Sequence, residues 1–293
     1  MPTVSLTVLE ELRDLRYHRT PRQRVTTEQD ALDFVDEVGF CFVFGDKRID
    51  MPTLWGAVTG SRRPVPPTHD DPDIGRVWRW KDTLPTKRMI FYGKALRKKP
   101  TLISLRLLPH LYALSPNFGA VDDYLMQYED GKLSAEAKSV YEALLEGGAM
   151  ATSRLRREAG LPGGGKNARL FERALTELQM ELKIAKVGIS DANRWGYAYV
   201  YDLFLRQFPG VPTAAREIST DEAMDTLLLQ HLCNVLMVPV RDARLLFGWA
   251  DWEWERLIER LAASDAIRTD LQVEGKAEPC IALAEAPLSS LVA

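Results

Sequence analysis

Four carboxylates, Asp36, Glu37, Asp46 and Asp50, bracket the apolar run Phe40-Cys41-Phe42-Val43-Phe44. Carboxylates beside a half-buried strand are the residue type that activates or orients water for hydrolysis. Each is equally suited to capping a helix, closing a turn or carrying solvated charge, so the pattern assigns none of them. A second constellation is cationic. From Thr83 to Val121 the chain carries Lys87, Arg88, Lys94, Arg97, Lys98, Lys99 and Arg106 with no acidic residue, interleaved with Phe91 and Tyr92. That mixture neutralises phosphates and offers rings to a displaced base, although a solvated helix face has the same composition. Lys166, Arg169 and Arg173 recur on one side of a later helical pattern, and Arg194 lies in a polar turn beyond it. Glu172, Glu177 and Glu181 dilute that helix, so it suits phosphate contact more than base reading.

One motif is rejected at this level. The run "GLPGGGKN" satisfies GxxxxGK from Gly160 to Lys166, but Asn167 stands where a magnesium-binding hydroxyl belongs, and a helical pattern precedes it instead of a strand. Glycines joining two helices account for it.

The bulk composition sets the class. The chain has 293 residues, 46% hydrophobic and 27% charged, enough for two or three modules. A net charge of −3 gives no global attraction to nucleic acid, so a polyanion site must arise from uneven charge. Cys41, Cys233 and Cys280 lie far apart, and the four histidines have no metal-ligand spacing. No metal or cofactor is expected. The absence of an eighteen-residue apolar run argues against a membrane span or secretory signal, and the expected compartment is the cytoplasm.

The elements that position these residues follow from periodicity. Ser134 caps a helix with Val140, Tyr141, Leu144 and Leu145 on one stripe, stopped by Gly147-Gly148. Thr152 or Ser153 caps a short second helix that Gly160 ends. A third runs from about residue 167 to 183 with Leu170, Phe171, Ala174, Leu175 and Leu178 inward. "IAKVGI" and "YAYVYDLF", joined by "SDANRWG", form a hairpin. Three helices and a hairpin are the order of a winged helix. The order repeats over 219–285, where Ser219 and Glu222 form a capping box, and Ile258, Leu261 and Ile267 reproduce the spacing of Leu175, Leu178 and Ile184. The last unit has ten acidic against five basic residues between Ser219 and Asp270, so its third helix should stay out of a groove. Trp252 and Trp254 on that helix cannot both face the core. Near the start, Thr26 and Gln29 form a capping box ahead of "ALDFVDEVG", and "RRPVPPTHDDPD" must be a loop. The fold class is therefore α+β, mainly helical, with tandem winged-helix units. The division is 1–130 (a divergent winged-helix-like unit with the basic and aromatic segment), 131–212 and 213–293.

Tandem winged helices, a basic segment between the first and second units, and a "VGFCFVF" strand after a helical pair resemble the AlkZ/YcaQ family of bacterial DNA glycosylases, and in particular its AlkZ-related branch. The resemblance implies double-stranded DNA, alkylated or crosslinked, as the partner. In that family the strand follows a Leu-Gly pair and carries Gln-x-Gln or Gln-x-Asp, which position the attacking water. Here Val38-Gly39 matches the pair, and the two catalytic positions fall on Phe42 and Phe44. Phenylalanine neither accepts a proton nor holds water, so the resemblance implies a DNA-binding protein without the family's chemistry. Packing of a half-buried strand accounts for both rings, and stacking on a base is the functional alternative. Two other readings stand beside it: a divergent glycosylase using one of the four carboxylates, and a regulatory module whose acidic last unit meets a protein partner.

Overall fold

The computed structural model describes residues 3–68, 70–191, 197–275 and 278–286. The architecture is mixed α and β, mainly helical. It divides into two compact units, one formed by residues 1–78 together with 220–293 and the other by residues 79–219.

Unit one begins with β1 (Thr3–Val4), α1 (Leu6–Arg16), α2 (Glu28–Val38), β2 (Phe40–Phe42) and α3 (Leu54–Thr59). The capping box of α2 falls one residue later than Thr26 and Gln29. Thr27 Oγ1 accepts from the Asp30 amide, and the Asp30 carboxylate accepts from the Thr27 amide at 3.0 Å. Hydrogen bonds from Thr26 and Thr27 hold the Asp30 pKa at about 2, so an ionised acceptor wins this position from a neutral one. Gln29 bonds Asp33 instead, at 2.7 Å. Ala31, Phe34, Val35 and Val38 make the buried stripe, and Gly39, at φ 75°, ends the helix and releases the strand. The described residues of the proline-rich segment, 62–68 and 70–71, are loop, and Pro72 is the first residue of α4 (Pro72–Thr86), where a missing amide is harmless.

Unit two takes over within α4 and continues through β3 (Ile90–Leu96), β4 (Lys99–Ser104), α5 (Leu108–Ala113), α6 (Asp123–Glu129), α7 (Ala135–Gly147), β5 (Met150–Ala151), α8 (Thr152–Glu158), α9 (Gly165–Met180), β6 (Ile184–Ser190), β7 (Ala198–Leu203), α10 (Phe204–Gln207) and α11 (Val211–Arg216). Ser134 caps α7 by accepting from the Ala137 amide. The expected cap of α8 is absent, because Thr152 Oγ1 donates to the Tyr199 carbonyl at 2.8 Å and Ala151 occupies the cap position. That bond ties α8 to β7. Val140, Tyr141, Leu144, Leu155, Phe171, Leu175 and Leu178 close one core against Ile184 and Tyr201 of the three-stranded sheet β5-β7-β6.

The chain then returns to unit one with α12 (Thr220–Val235), β8 (Met237–Pro239), α13 (Val240–Phe247), α14 (Asp251–Ala263), β9 (Ile267–Val273) and β10 (Cys280–Leu283). This repeats the order from α7 to β7, including a short strand ahead of the second helix that pairs with the second hairpin strand. β1 adds to the second sheet, parallel to β9, with Val4 opposite Val273. In the repeat, Leu261 and Ile267 are buried as expected, but Leu257 takes the inner place and Ile258 is only partly covered. Trp254 is 2% exposed and Trp252 65%, as two residues on opposite sides of a helix must be. Arg256 and Arg260 of α14 pair with Asp221 and Asp225 of α12, so part of the acid excess is neutralised internally.

His231 on α12 is enclosed between Phe40 and Phe247, and neither ring nitrogen has a hydrogen-bond partner among the described residues. Burial first, and then the Arg13 charge, lower its pKa to about 3. An unfolded imidazole binds a proton from about pH 6.5 downward, whereas the folded one resists to about 3, so stability is present above 6.5 and falls through that window. Acid unfolding should lose up to about 1.4 kcal/mol per pH unit there. A His231→Leu chain whose acid limb is as steep as the parent's would show that His231 is not the titrating group.

Candidate nucleic-acid interface

The strand between the carboxylates is sealed. Phe40, Cys41, Phe42 and Val43 are all at most 1% exposed, so β2 is buried on both faces rather than half-buried. The Phe42 amide donates to the Pro52 carbonyl at 3.1 Å, and the Trp55 amide donates to the Val43 carbonyl at 3.1 Å. Phe42 therefore has no surface on which a base can stack. Phe44, partly exposed, leans on Trp55 and Trp78 with ring centroids 6.4 and 6.5 Å away. Burial also raises the Cys41 thiol well above its ordinary range, so it is a packing residue.

The four carboxylates separate. Asp36 and Glu37 are exposed on α2, and Glu37 accepts from Arg16 at 2.8 Å and meets His18 Nε2 at 3.0 Å. Asp46 and Asp50 line an open groove of about 550 Å³ that starts at Gly45, directly after Phe44. Asp46 accepts from the Arg48 amide at 2.8 Å, and Asp50 accepts from Arg13 at 2.8 Å. The groove also receives Arg48, Arg62, Arg63 and Trp55. Arg62 is held by Glu10 and Asp14, and Arg63 by Asp71, so much of its positive charge is compensated within the unit.

In unit two the basic segment is mostly a β-hairpin rather than a helix. Leu96 pairs with Lys99 across a two-residue turn in which Arg97 and Lys98 both have positive φ, 54° and 58°. Such turns match strand twist but favour Asn-Gly, and a side chain held left-handed costs about 1–2 kcal/mol. Arg88, at φ 58°, ends α4 in the same conformation, beside exposed Lys87. Three cations thus project from strained, fixed backbone.

On α9, Lys166, Arg169 and Arg173 are exposed while Phe171, Ala174, Leu175 and Leu178 are buried. The structure brings Lys94, Lys98 and Arg173 together at a cleft of about 630 Å³ shared with Glu172, Thr176, Glu177 and Glu181. Lys94 Nζ donates to Thr176 Oγ1 at 3.1 Å. Glu177 is turned away to Ser134, accepting from its amide at 2.7 Å and its hydroxyl at 2.6 Å. Burial pushes Glu181 up to about 7, against the pull of Lys183, which reduces its negative charge in the cleft. Lys99 is exposed at the start of β4, and Arg194 lies outside the described residues. The glycine loop joins α8 to α9 as expected, and Asn167 Nδ2 donates to the Pro162 carbonyl at 3.2 Å.

Sequence reasoning missed one cluster in unit two. Lys81 and Lys186, each 2% exposed, share the carboxylate of Asp82. Lys81 Nζ also reaches the Tyr197 and Tyr199 hydroxyls at 2.9 and 3.1 Å, and the Tyr197 hydroxyl donates to Asp82 Oδ2 at 2.8 Å. Lys186 Nζ stands over the Tyr92 and Tyr199 rings at 4.7 and 4.1 Å. Among the described residues these two ammoniums share this one carboxylate, so Lys186 is the odd charge. Burial, then Lys81, lower Lys186 to about 7. The signal was available as Lys186 at an inward position of β6, but nothing in the local pattern paired it with Lys81 or with Asp82, 104 residues away.

The Streptomyces sahachiroi DNA glycosylase AlkZ superposes with a TM-score of 0.60 over 99% of this chain and 72% of that one, at 15% identity. The chain belongs to the AlkZ-related family, whose model matches residues 25–238. No curated protein matches it.

Proposed function

We propose that this chain is a DNA-binding protein that keeps the glycosylase fold of its family without the family's water-positioning pair, and that it engages damaged or distorted duplex. The carrying observation is the sealed β2: if Phe42 and Phe44 stand at the catalytic positions, one is wholly enclosed and neither can hold water. In this reading residues 131–212 and 213–293 are winged helices and 1–130 is a divergent third. The end of α4, the β3–β4 hairpin and α9 supply phosphate contacts through Lys87, Arg88, Lys94, Arg97, Lys98, Lys99, Lys166, Arg169 and Arg173. No helix among the described residues is long and apolar enough to cross a membrane, and the compartment of such a protein is the cytoplasm.

Duplex binding should be salt-sensitive. Lys98→Glu, Arg169→Glu and Arg173→Glu together should weaken it and reduce the slope of log affinity against log salt by about 0.9 for each phosphate that is no longer neutralised. All three side chains are exposed, so the fold should persist. An unchanged slope and affinity in a fluorescence anisotropy titration would reject the interface.

A divergent glycosylase is the second reading, favoured by one observation: Asp46 and Asp50 border the same groove immediately beyond Phe44. The two readings part on abasic product, not on binding.

A further inference from the structure

Residues 118–128 of unit two present Phe118, Val121, Leu125, Met126 and Tyr128 to solvent at 65, 50, 40, 47 and 40% exposure. Isolated exposed apolar side chains are ordinary, but five within eleven residues form a patch. Their backbone is firmly held. Asp123 Oδ2 accepts from the amides of Phe118, Gly119 and Ala120 at 2.7, 2.8 and 3.1 Å. Arg216 donates to the Phe118 carbonyl at 3.2 Å, Gln127 to that of Pro116 at 2.6 Å, and the Tyr141 hydroxyl to that of Val121 at 3.1 Å. Gly119, at φ 90°, lies so close to α11 that a Cβ would stand 2.8 Å from Pro212. Folding thus orders the backbone under the patch and leaves its side chains uncovered, so a partner meets a surface that needs little further ordering.

The charge around the patch selects the partner. Asp122 and Glu129 are exposed beside these side chains, whereas Asp130 is paired to Lys132 at 2.9 Å, Asp123 is taken up by the loop amides, and Arg216 is held at the Phe118 carbonyl. Lys138, near the Tyr128 ring, is paired to Glu142 at 2.6 Å. The two exposed carboxylates, Asp122 and Glu129, repel phosphates, which argues against a wedge into DNA. Strand addition is excluded as well, because the loop amides that would pair are already bonded to Asp123. We propose that this face docks a basic amphipathic helix of a partner protein, with its apolar stripe over Phe118, Leu125 and Tyr128 and its cations over Asp122 and Glu129.

The probe is a fluorescein-labelled synthetic helix of leucine and lysine heptads, titrated with the full chain at physiological salt. Saturable binding is expected, with no binding of the same helix carrying glutamate for lysine. Phe118→Ser with Leu125→Ser should weaken it at least about tenfold, since rigid aromatic and aliphatic anchors carry most of such an interface. Asp122→Lys with Glu129→Lys should weaken it too. An unchanged melting temperature and circular dichroism spectrum serve as the fold control for both variants. Equal binding of the lysine helix to parent and serine variant, equal binding of both helices to the parent, or no binding at all overturns the proposal. So does concentration-dependent self-association of the parent that the serine variant abolishes, since a second copy would then own the face.

Discussion

Incubated in excess with duplex carrying an alkylated purine or an interstrand crosslink, the purified chain is expected to release no base above the uncatalysed rate. A positioned acid or base contributes about 10² to 10⁴ in rate, and Phe42 and Phe44 contribute none of it. The setting reinforces the expectation. Placing glutamine at Phe42 would bury an amide in a strand that is at most 1% exposed. The informative experiment therefore uses the natural chain and detects abasic product. Clear turnover that is lost on changing Asp46 or Asp50 singly would establish the groove beyond Phe44 as an active site and replace the binding reading. Turnover that survives those changes but is lost at Asp36 or Glu37 would move the chemistry to α2.

The second large effect lies in the lysine cluster. Asp82→Asn removes the carboxylate that the two buried amines share and should cost about 3–5 kcal/mol, read as a large fall in the melting temperature. Lys186→Met, similar in volume, removes the odd amine and should be neutral or stabilising. The pH dependence has a definite sign. An unfolded lysine keeps its proton to about 10.5, whereas folded Lys186 releases it near 7, so the unfolded chain binds more protons between these values. Stability should rise with pH from about 7 towards 9.5, below the range where unfolded tyrosines ionise, and this rise should flatten in Lys186→Met. A rise that persists in the variant assigns the titration elsewhere.

What the sequence disclosed depended on how local the physics was. The helix and hairpin order from Ser134 to Leu203 follows from caps, glycine stops and a change of period, all within a few residues of each other. The cap error at Thr26 has a local cause, an ionised Asp30 that outcompetes Gln29, whereas Thr152 gives its hydroxyl to the Tyr199 carbonyl, 47 residues away. Full burial of β2 was not legible, since an alternating strand and a doubly covered one share the same aromatic run. The convergence of Lys94, Lys98 and Arg173 required knowing that the hairpin lies along α9. The Lys81–Asp82–Lys186 cluster joins segments with no sequence relation, as do the Asp123-ordered loop and α11 beneath it.

The parallel pairing of β1 with β9 has a consequence for synthesis. Val4 waits for Val273, and α1 to α3 wait for α12 to α14 to complete unit one. On the ribosome the first 78 residues emerge early, yet the roughly 140 residues of unit two must follow, at about 5–20 residues per second, before their partners appear. For on the order of ten seconds the apolar stripe of α2 and the strand β2 are without half of their unit. In that period a chaperone has more to hold than after release, and unit two, continuous in sequence, can finish folding first.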